Sequence, residues 1–131
     1  MMGYVIMKKK IMFVDDGSDQ LFSFEQVLNE SNKDFEFIGV QSGKECLKEL
    51  QHAELPDIIF LDIMMPEMDG WEVYDKLRDN PVLKDIPIVF LTTNMNMATK
   101  HACSSFNDSF LEKPVESKEL FNCIEQIIKK K

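Results

Sequence analysis

Hydrophobic residues along this chain fall into two alternating rhythms. Ile11-Met12-Phe13-Val14, Ile58-Ile59-Phe60-Leu61 and Ile88-Val89-Phe90-Leu91 are short unbroken apolar runs with no position left to face water. Such runs, bounded by polar or turn residues, predict strands buried on both faces of a parallel sheet. Phe35 to Val40 alternates in part with polar residues and contains Gly39, which suits an edge strand. Phe110-Leu111 begins a fifth short run.

The segments between these runs follow a helical period. Leu21, Phe24, Val27 and Leu28 share one face of a helix that begins near Ser18, read as its N-cap. Gly43, Cys46, Leu47 and Leu50 mark a second helix, and Val73, Tyr74 and Leu77 a third, which starts after Gly70 and ends near Asn80-Pro81. Residues 97–106 predict a fourth with a thin apolar face of Ala98, Ala102, Cys103 and Phe106. So little anchoring makes it the helix expected to move most. Leu120, Phe121, Ile124, Ile127 and Ile128 give the last helix a strong stripe. Ser117 is read as its cap, and Lys129-Lys130-Lys131 suits the negative end of its dipole. Strands alternating with helices are the mark of repeated β-α units in an α/β fold.

Composition narrows the class. A length of 131 residues predicts one domain, its core running from about 9 to 128, large enough to bury a core without staples. A net charge of -8 argues against a nucleic-acid partner, since backbone binding needs a basic face. No apolar run approaches the length of a membrane span, so no membrane insertion is expected. The apolar part of Met1-Met2-Gly3-Tyr4-Val5-Ile6-Met7 is short and precedes Lys8-Lys9-Lys10, the reverse of a secretory signal. Cys46, Cys103 and Cys123 are isolated, with no spacing for zinc or redox work. They read as small hydrophobes in a reducing, cytoplasmic setting.

The chemistry sits where the apolar runs stop. The first ends in Asp15-Asp16, the second in Asp62, the third in Thr92, and Phe110-Leu111 leads to Lys113-Pro114. In an open parallel sheet, functional groups gather at the carboxyl ends of the strands. If these runs are neighbours, carboxylates, a hydroxyl and one amine converge. Taken singly, each has a structural reading: aspartates after strands make turns, a threonine closes a strand, a lysine is solvated. Asp69-Gly70 is read as a turn pair, structural and not catalytic.

Asp15-Asp16, the stretch Asp62-Ile63-Met64-Met65-Pro66-Glu67-Met68-Asp69-Gly70, Thr92-Thr93 and Lys113-Pro114, in this order and spacing, resemble the receiver domain of two-component response regulators, in its single-domain, chemotaxis-regulator-like form. The resemblance implies a flavodoxin-like, doubly wound sheet of five parallel strands in the order 2-1-3-4-5 with five helices, and a site at the switch point between the first and third strands. It implies Asp62 as phosphoacceptor, with Asp16 and Asp62 binding a metal directly, Asp15 through water, and Met64 through its backbone carbonyl. Three crowded carboxylates with only oxygen ligands suit Mg²⁺, with Mn²⁺ as a substitute. Lys113 would meet the phosphoryl oxygens with a second cation, Thr92 with its hydroxyl and Thr93 with its backbone N–H. Phe110 would be an aromatic switch, turning inward as Thr92 is drawn to the phosphoryl group. The Lys113–Pro114 bond would be cis.

Three positions depart from the pattern. Gly17 replaces a larger residue and loosens the first loop. Thr93 stands where alanine is common and narrows access. Asn107 takes a left-handed position usually held by glycine. The function implied is that of a non-enzyme, catalysing only its own phosphorylation and dephosphorylation. It would accept a phosphoryl group from a histidine kinase or phosphotransfer protein and bind a downstream protein target, as a monomer or weak dimer. The expected contact surface is the fourth helix, fifth strand and fifth helix. Two alternatives stay open: a Mg²⁺-dependent phosphohydrolase with an aspartate nucleophile, and a receiver-shaped module that binds without phosphorylation. The first lacks its second aspartate, since Gly17 follows two after Asp15 and Met64 two after Asp62. The second usually lacks one of the groups this chain keeps.

Overall fold

The structure, a computed structural model, describes residues 8–31, 34–52, 54–93 and 109–129. It holds β1 (Lys9–Val14), α1 (Ser18–Asn29), β2 (Phe35–Val40), α2 (Gly43–His52), β3 (Ile58–Asp62), α3 (Gly70–Arg78), β4 (Ile88–Thr92), β5 (Ser109–Glu112) and α4 (Ser117–Lys129). The five strands form one sheet in the order β2-β1-β3-β4-β5, as the receiver resemblance implies, with every pair parallel, as the alternating β-α pattern predicts. Four helices stand among the described residues. The helix predicted over 97–106, with Cys103 and Asn107, lies outside them. No described helix is long and apolar enough to cross a membrane.

The unbroken apolar runs are explained by two cores. Met12, Val14, Ile59, Leu61, Ile88 and Phe90 point to one face of the sheet, where α2 and α3 cover them with Cys46, Leu50, Val73 and Leu77. Ile11, Phe13, Ile58, Phe60, Val89 and Leu91 point to the other, under Leu21, Phe24 and Leu28 of α1 and Leu120 and Ile124 of α4. Alternate residues of each strand thus feed opposite cores, and neither set can be polar. Stacked rings tie the second core together, with Phe13 4.4 Å from Phe24 and 4.7 Å from Phe60.

Two caps differ from the sequence reading. Ser18 is the first residue inside α1, and Gly17 is the N-cap, with no side-chain capping bond. The reason lies upstream: Asp15 Oδ1 accepts from the Gly17 N–H at 2.9 Å, which fixes the turn one residue earlier. Ser117 likewise lies inside α4. The Glu116 carbonyl accepts the Leu120 N–H, which places Glu116 at the cap, and Glu119 reaches back to the Glu116 N–H at 3.4 Å. In α3 the pair read as a turn is the start of the helix, with Gly70 its first residue, and Asp69 is structural as expected. Asp69 caps the helix by accepting from the Glu72 N–H at 3.0 Å.

The loop from β3 to α3 is tightly made. Glu67 takes a φ of 67°, and the Met68 N–H donates to the Pro66 carbonyl at 2.7 Å. That is a γ-turn in its strained sense, a conformation that disfavours a side chain. The Gly70 N–H then donates to the Ile63 carbonyl at 2.8 Å. A Cβ on Gly70 would stand 2.5 Å from the Asp62 carbonyl oxygen and 2.8 Å from the Ile63 Cα. Backbone cannot yield as a flexible side chain can. Gly70→Ala should therefore destabilise the fold by about 1–3 kcal/mol, read as a lower urea midpoint. An unchanged midpoint would mean that the β3–α3 loop shifts freely.

Candidate phosphoryl and metal site

The strand registers assemble the site. Val14 of β1 pairs with Leu61 of β3, so Asp15 and Asp62 follow at neighbouring strand ends. Asp62 pairs with Leu91 of β4, which puts Thr92 one residue beyond. Thr92 pairs with Glu112 of β5, and the Lys113 N–H donates to the Thr92 carbonyl at 2.8 Å. The sequence reading ended its runs before the polar residues. Here Asp62 and Thr92 are themselves the last residues of their strands, so sheet hydrogen bonds hold their backbones.

Asp15, Asp16 and Asp62 each offer a carboxylate oxygen, and the three oxygens lie within 4.8 Å of one another. Asp15 and Asp62 are buried, and Asp16 is exposed. Lys113 Nζ sits 2.9 Å from Asp15 Oδ2 and 3.2 Å from Asp62 Oδ1. Thr92 is 2% exposed, Thr93 is exposed, and Met64 follows Asp62 by two residues with its side chain in solvent. Asp15, Asp16, Asp62, Thr92 and Lys113 therefore meet on this edge of the sheet, while Phe110 lies further back, opposite Phe90. The Lys113–Pro114 bond is cis. Phe110 is half-buried on β5, its ring stacked on Phe90 at 5.1 Å.

Two features were not foreseen. Lys113 is bonded to Asp15 as well as to Asp62, so it already partners two of the three acids. Gly17 is not loose, because Asp15 Oδ1 holds its N–H. Asp15 thus serves both as a turn-maker and as a member of the cluster. A short Asp-x-Gly spacing after a strand was the available signal for that turn.

Charge is not balanced. Two like charges about 4 Å apart repel by roughly 4 kcal/mol at an effective dielectric near 20. One ammonium cannot offset three carboxylates. Burial raises the Asp62 pKa to about 6; Lys113 opposes the rise, and the charges of Asp15 and Asp16 add to it. For Lys113, burial works to lower the pKa, but the bonds to Asp15 and Asp62 outweigh it and the net shift is upward. A hard divalent cation fits this donor set: all oxygen, converging, with net negative charge.

The chain belongs to the response regulator receiver domain family, whose profile matches residues 11–125. Among its relatives, the response regulator Rcp1 of Synechocystis sp. is 32% identical over 126 residues, covering 91% of this chain and 86% of Rcp1. The response regulator PleD of Caulobacter vibrioides is 34% identical over 116 residues, which are 88% of this chain but only 25% of PleD. The chain spans 46% of a probable transcriptional regulator, ycf27, of Guillardia theta. Among solved structures, the chemotaxis protein CheY4 of Vibrio cholerae superposes with a TM-score of 0.79 at 25% identity, over 92% of this chain and 99% of CheY4. The phosphorylated cyanobacterial phytochrome response regulator RcpA gives 0.73 at 28% identity, over 92% of this chain and 91% of RcpA.

The raised Asp62 pKa has a stability consequence of definite sign. The folded protein holds this proton more tightly than the unfolded chain. Its protonation therefore favours folding below about pH 6, and that contribution is lost as pH rises through the folded pKa. Without divalent cation, the melting temperature of the wild type should fall between about pH 4 and pH 6 relative to Asp62→Asn, and run parallel to it above that. Profiles parallel across the whole range would show that Asp62 is an ordinary carboxylate.

Proposed function

We propose that this receiver domain takes a phosphoryl group on Asp62 from a histidine kinase or histidine phosphotransfer protein, in a Mg²⁺-dependent reaction. One observation carries the reading. Asp15, Asp16 and Asp62 converge at the carboxyl edge of the sheet with Lys113 bonded into the cluster. That is the donor set for a divalent cation beside an acceptor carboxylate and a fixed cation. The phosphorylated state of the related RcpA structure supports it.

Asp16 and Asp62 would hold the metal directly, Asp15 through water, and Met64 by its backbone carbonyl. Bound there, Mg²⁺ would supply charge neutralisation between the acceptor and the phosphoryl oxygens, with Mn²⁺ as a substitute. The rest belongs to the chain. An Asp62 carboxylate oxygen forms a bond to phosphorus as the donor's phosphorus–nitrogen bond breaks, and the electron pair leaves on the imidazole nitrogen. Lys113, a compact point charge, exchanges its bond with Asp62 for the incoming phosphoryl oxygens while keeping Asp15. The Thr92 hydroxyl and the Thr93 N–H donate to the same group. The product is an anion larger than the carboxylate it replaces, and it biases a two-state equilibrium that Phe110 reports. Output is binding to a downstream protein, in the cytoplasm, with no turnover of an external substrate.

With Mg²⁺ and phosphoramidate, the intact protein should gain one phosphoryl mass, and Asp62→Asn should gain none. A modification that survives Asp62→Asn would reassign the acceptor. Mg²⁺ should also raise the melting temperature by mass action, and Asp16→Asn should need about tenfold more metal for the same rise. Calorimetry that finds no Mg²⁺ binding to the wild type would remove the metal from the scheme.

A further inference from the structure

Four aromatic rings form one cluster on the face of the sheet covered by α2 and α3. Phe90 is fully buried on β4, two residues before Thr92. Trp71, the second residue of α3, lies 4.5 Å from Phe90 and 6.2 Å from Phe110 by ring centroids. Phe110 stacks on Phe90 at 5.1 Å and 20°, and Tyr74 meets Phe90 at 5.3 Å. Phe90 and Phe110 are register partners across β4 and β5, so their spacing is fixed by the sheet. Trp71 reaches Phe110 from a different element.

The element that carries Trp71 is fixed to the acceptor strand at this same end. Gly70, immediately before it, bonds to the Ile63 carbonyl and has no room for a Cβ against the Asp62 carbonyl. A shift of the Asp62 backbone must therefore move the start of α3, and with it the indole. We propose that Trp71 is a positioning residue for the Phe110 ring. It couples Phe110 to the Asp62 loop through α3, a path separate from Thr92. A tryptophan acting only as core filler would need contact with Phe90 alone. The tilted contact with the half-buried Phe110, at 55°, is the one through which a change in one ring is felt by the other.

The inference rests on the acceptor reading above, and Trp71 is the sole tryptophan of the chain, so indole emission reports this position alone. The experiment adds beryllofluoride and Mg²⁺ to the wild type, Phe110→Leu and Phe110→Tyr. Trp71 emission is followed beside intact-mass phosphorylation by phosphoramidate. Emission should change in the wild type, lose that change in Phe110→Leu, and regain it in Phe110→Tyr, which restores a ring. Phosphorylation with a Trp71 response unaltered by Phe110→Leu, or with no Trp71 response, overturns the coupling and leaves the acceptor assignment standing. No phosphoryl mass on the wild type overturns the acceptor assignment, and the coupling with it.

Discussion

Three carboxylates on one sheet edge repel, and the fold has to hold them there. Lys113 makes this tolerable by lying 2.9 Å from Asp15 and 3.2 Å from Asp62, with little of it exposed. The lysine comes from the far end of the chain, 98 residues from Asp15. Its position depends on β5 joining the edge of the sheet in register with β4. The last strand and the first are therefore linked electrostatically across two strands that lie between them. Leaving either acid without its partner would strand a buried charge, which costs far more than the pair itself contributes. The rest of the architecture can be read as what keeps these groups close. Both cores are filled by strand residues that permit no slip in register, because a one-residue slip would move every apolar side chain to the wrong core.

Much of this was legible in the sequence, for a physical reason. Strands buried on both faces must be apolar throughout, so β1, β3 and β4 stand out as runs, and the residue that ends each run is the one that reaches the edge. Asp15, Asp62 and Thr92 could be found this way because the fully buried stretch of each strand, Ile11–Val14 in β1, admits no polar residue before its end. Asp69 was read as structural from its glycine neighbour, and it does cap α3.

Other features depend on contacts that no local pattern encodes. Ser18 has the right chemistry for a cap, yet Gly17 holds that place because an Asp15 oxygen takes its N–H. Lys10 lies in β1 although it is charged, since its ammonium pairs with Glu54 at 2.7 Å and its N–H donates to Asp57. Burial lowers the Lys113 pKa and the acids raise it, so its state depends on partners distant in sequence. The strained φ at Glu67 has no signal in an exposed glutamate, because the constraint is the short path from Asp62 to the packed start of α3.

That short path matters for how such a site can signal. An acidic cluster only partly offset by one lysine is poised: small changes in its charge move its free energy by amounts comparable to the repulsion it already carries. A change held to the cluster would be lost unless rigid backbone carried it outward. Gly70 ties the two elements together, because its N–H is bonded to the Ile63 carbonyl and its backbone passes too close to the Asp62 carbonyl to admit a side chain. Close packing then makes the next residues respond in steps, since interlocked side chains have few alternative arrangements. On the coupling proposed for Trp71, strain at Glu67, the close packing at Gly70 and the ring cluster around Phe90 would form a stiff route from the charged edge to β5. Signalling as proposed would draw on both parts, an unbalanced charge at one end and a closely packed path at the other.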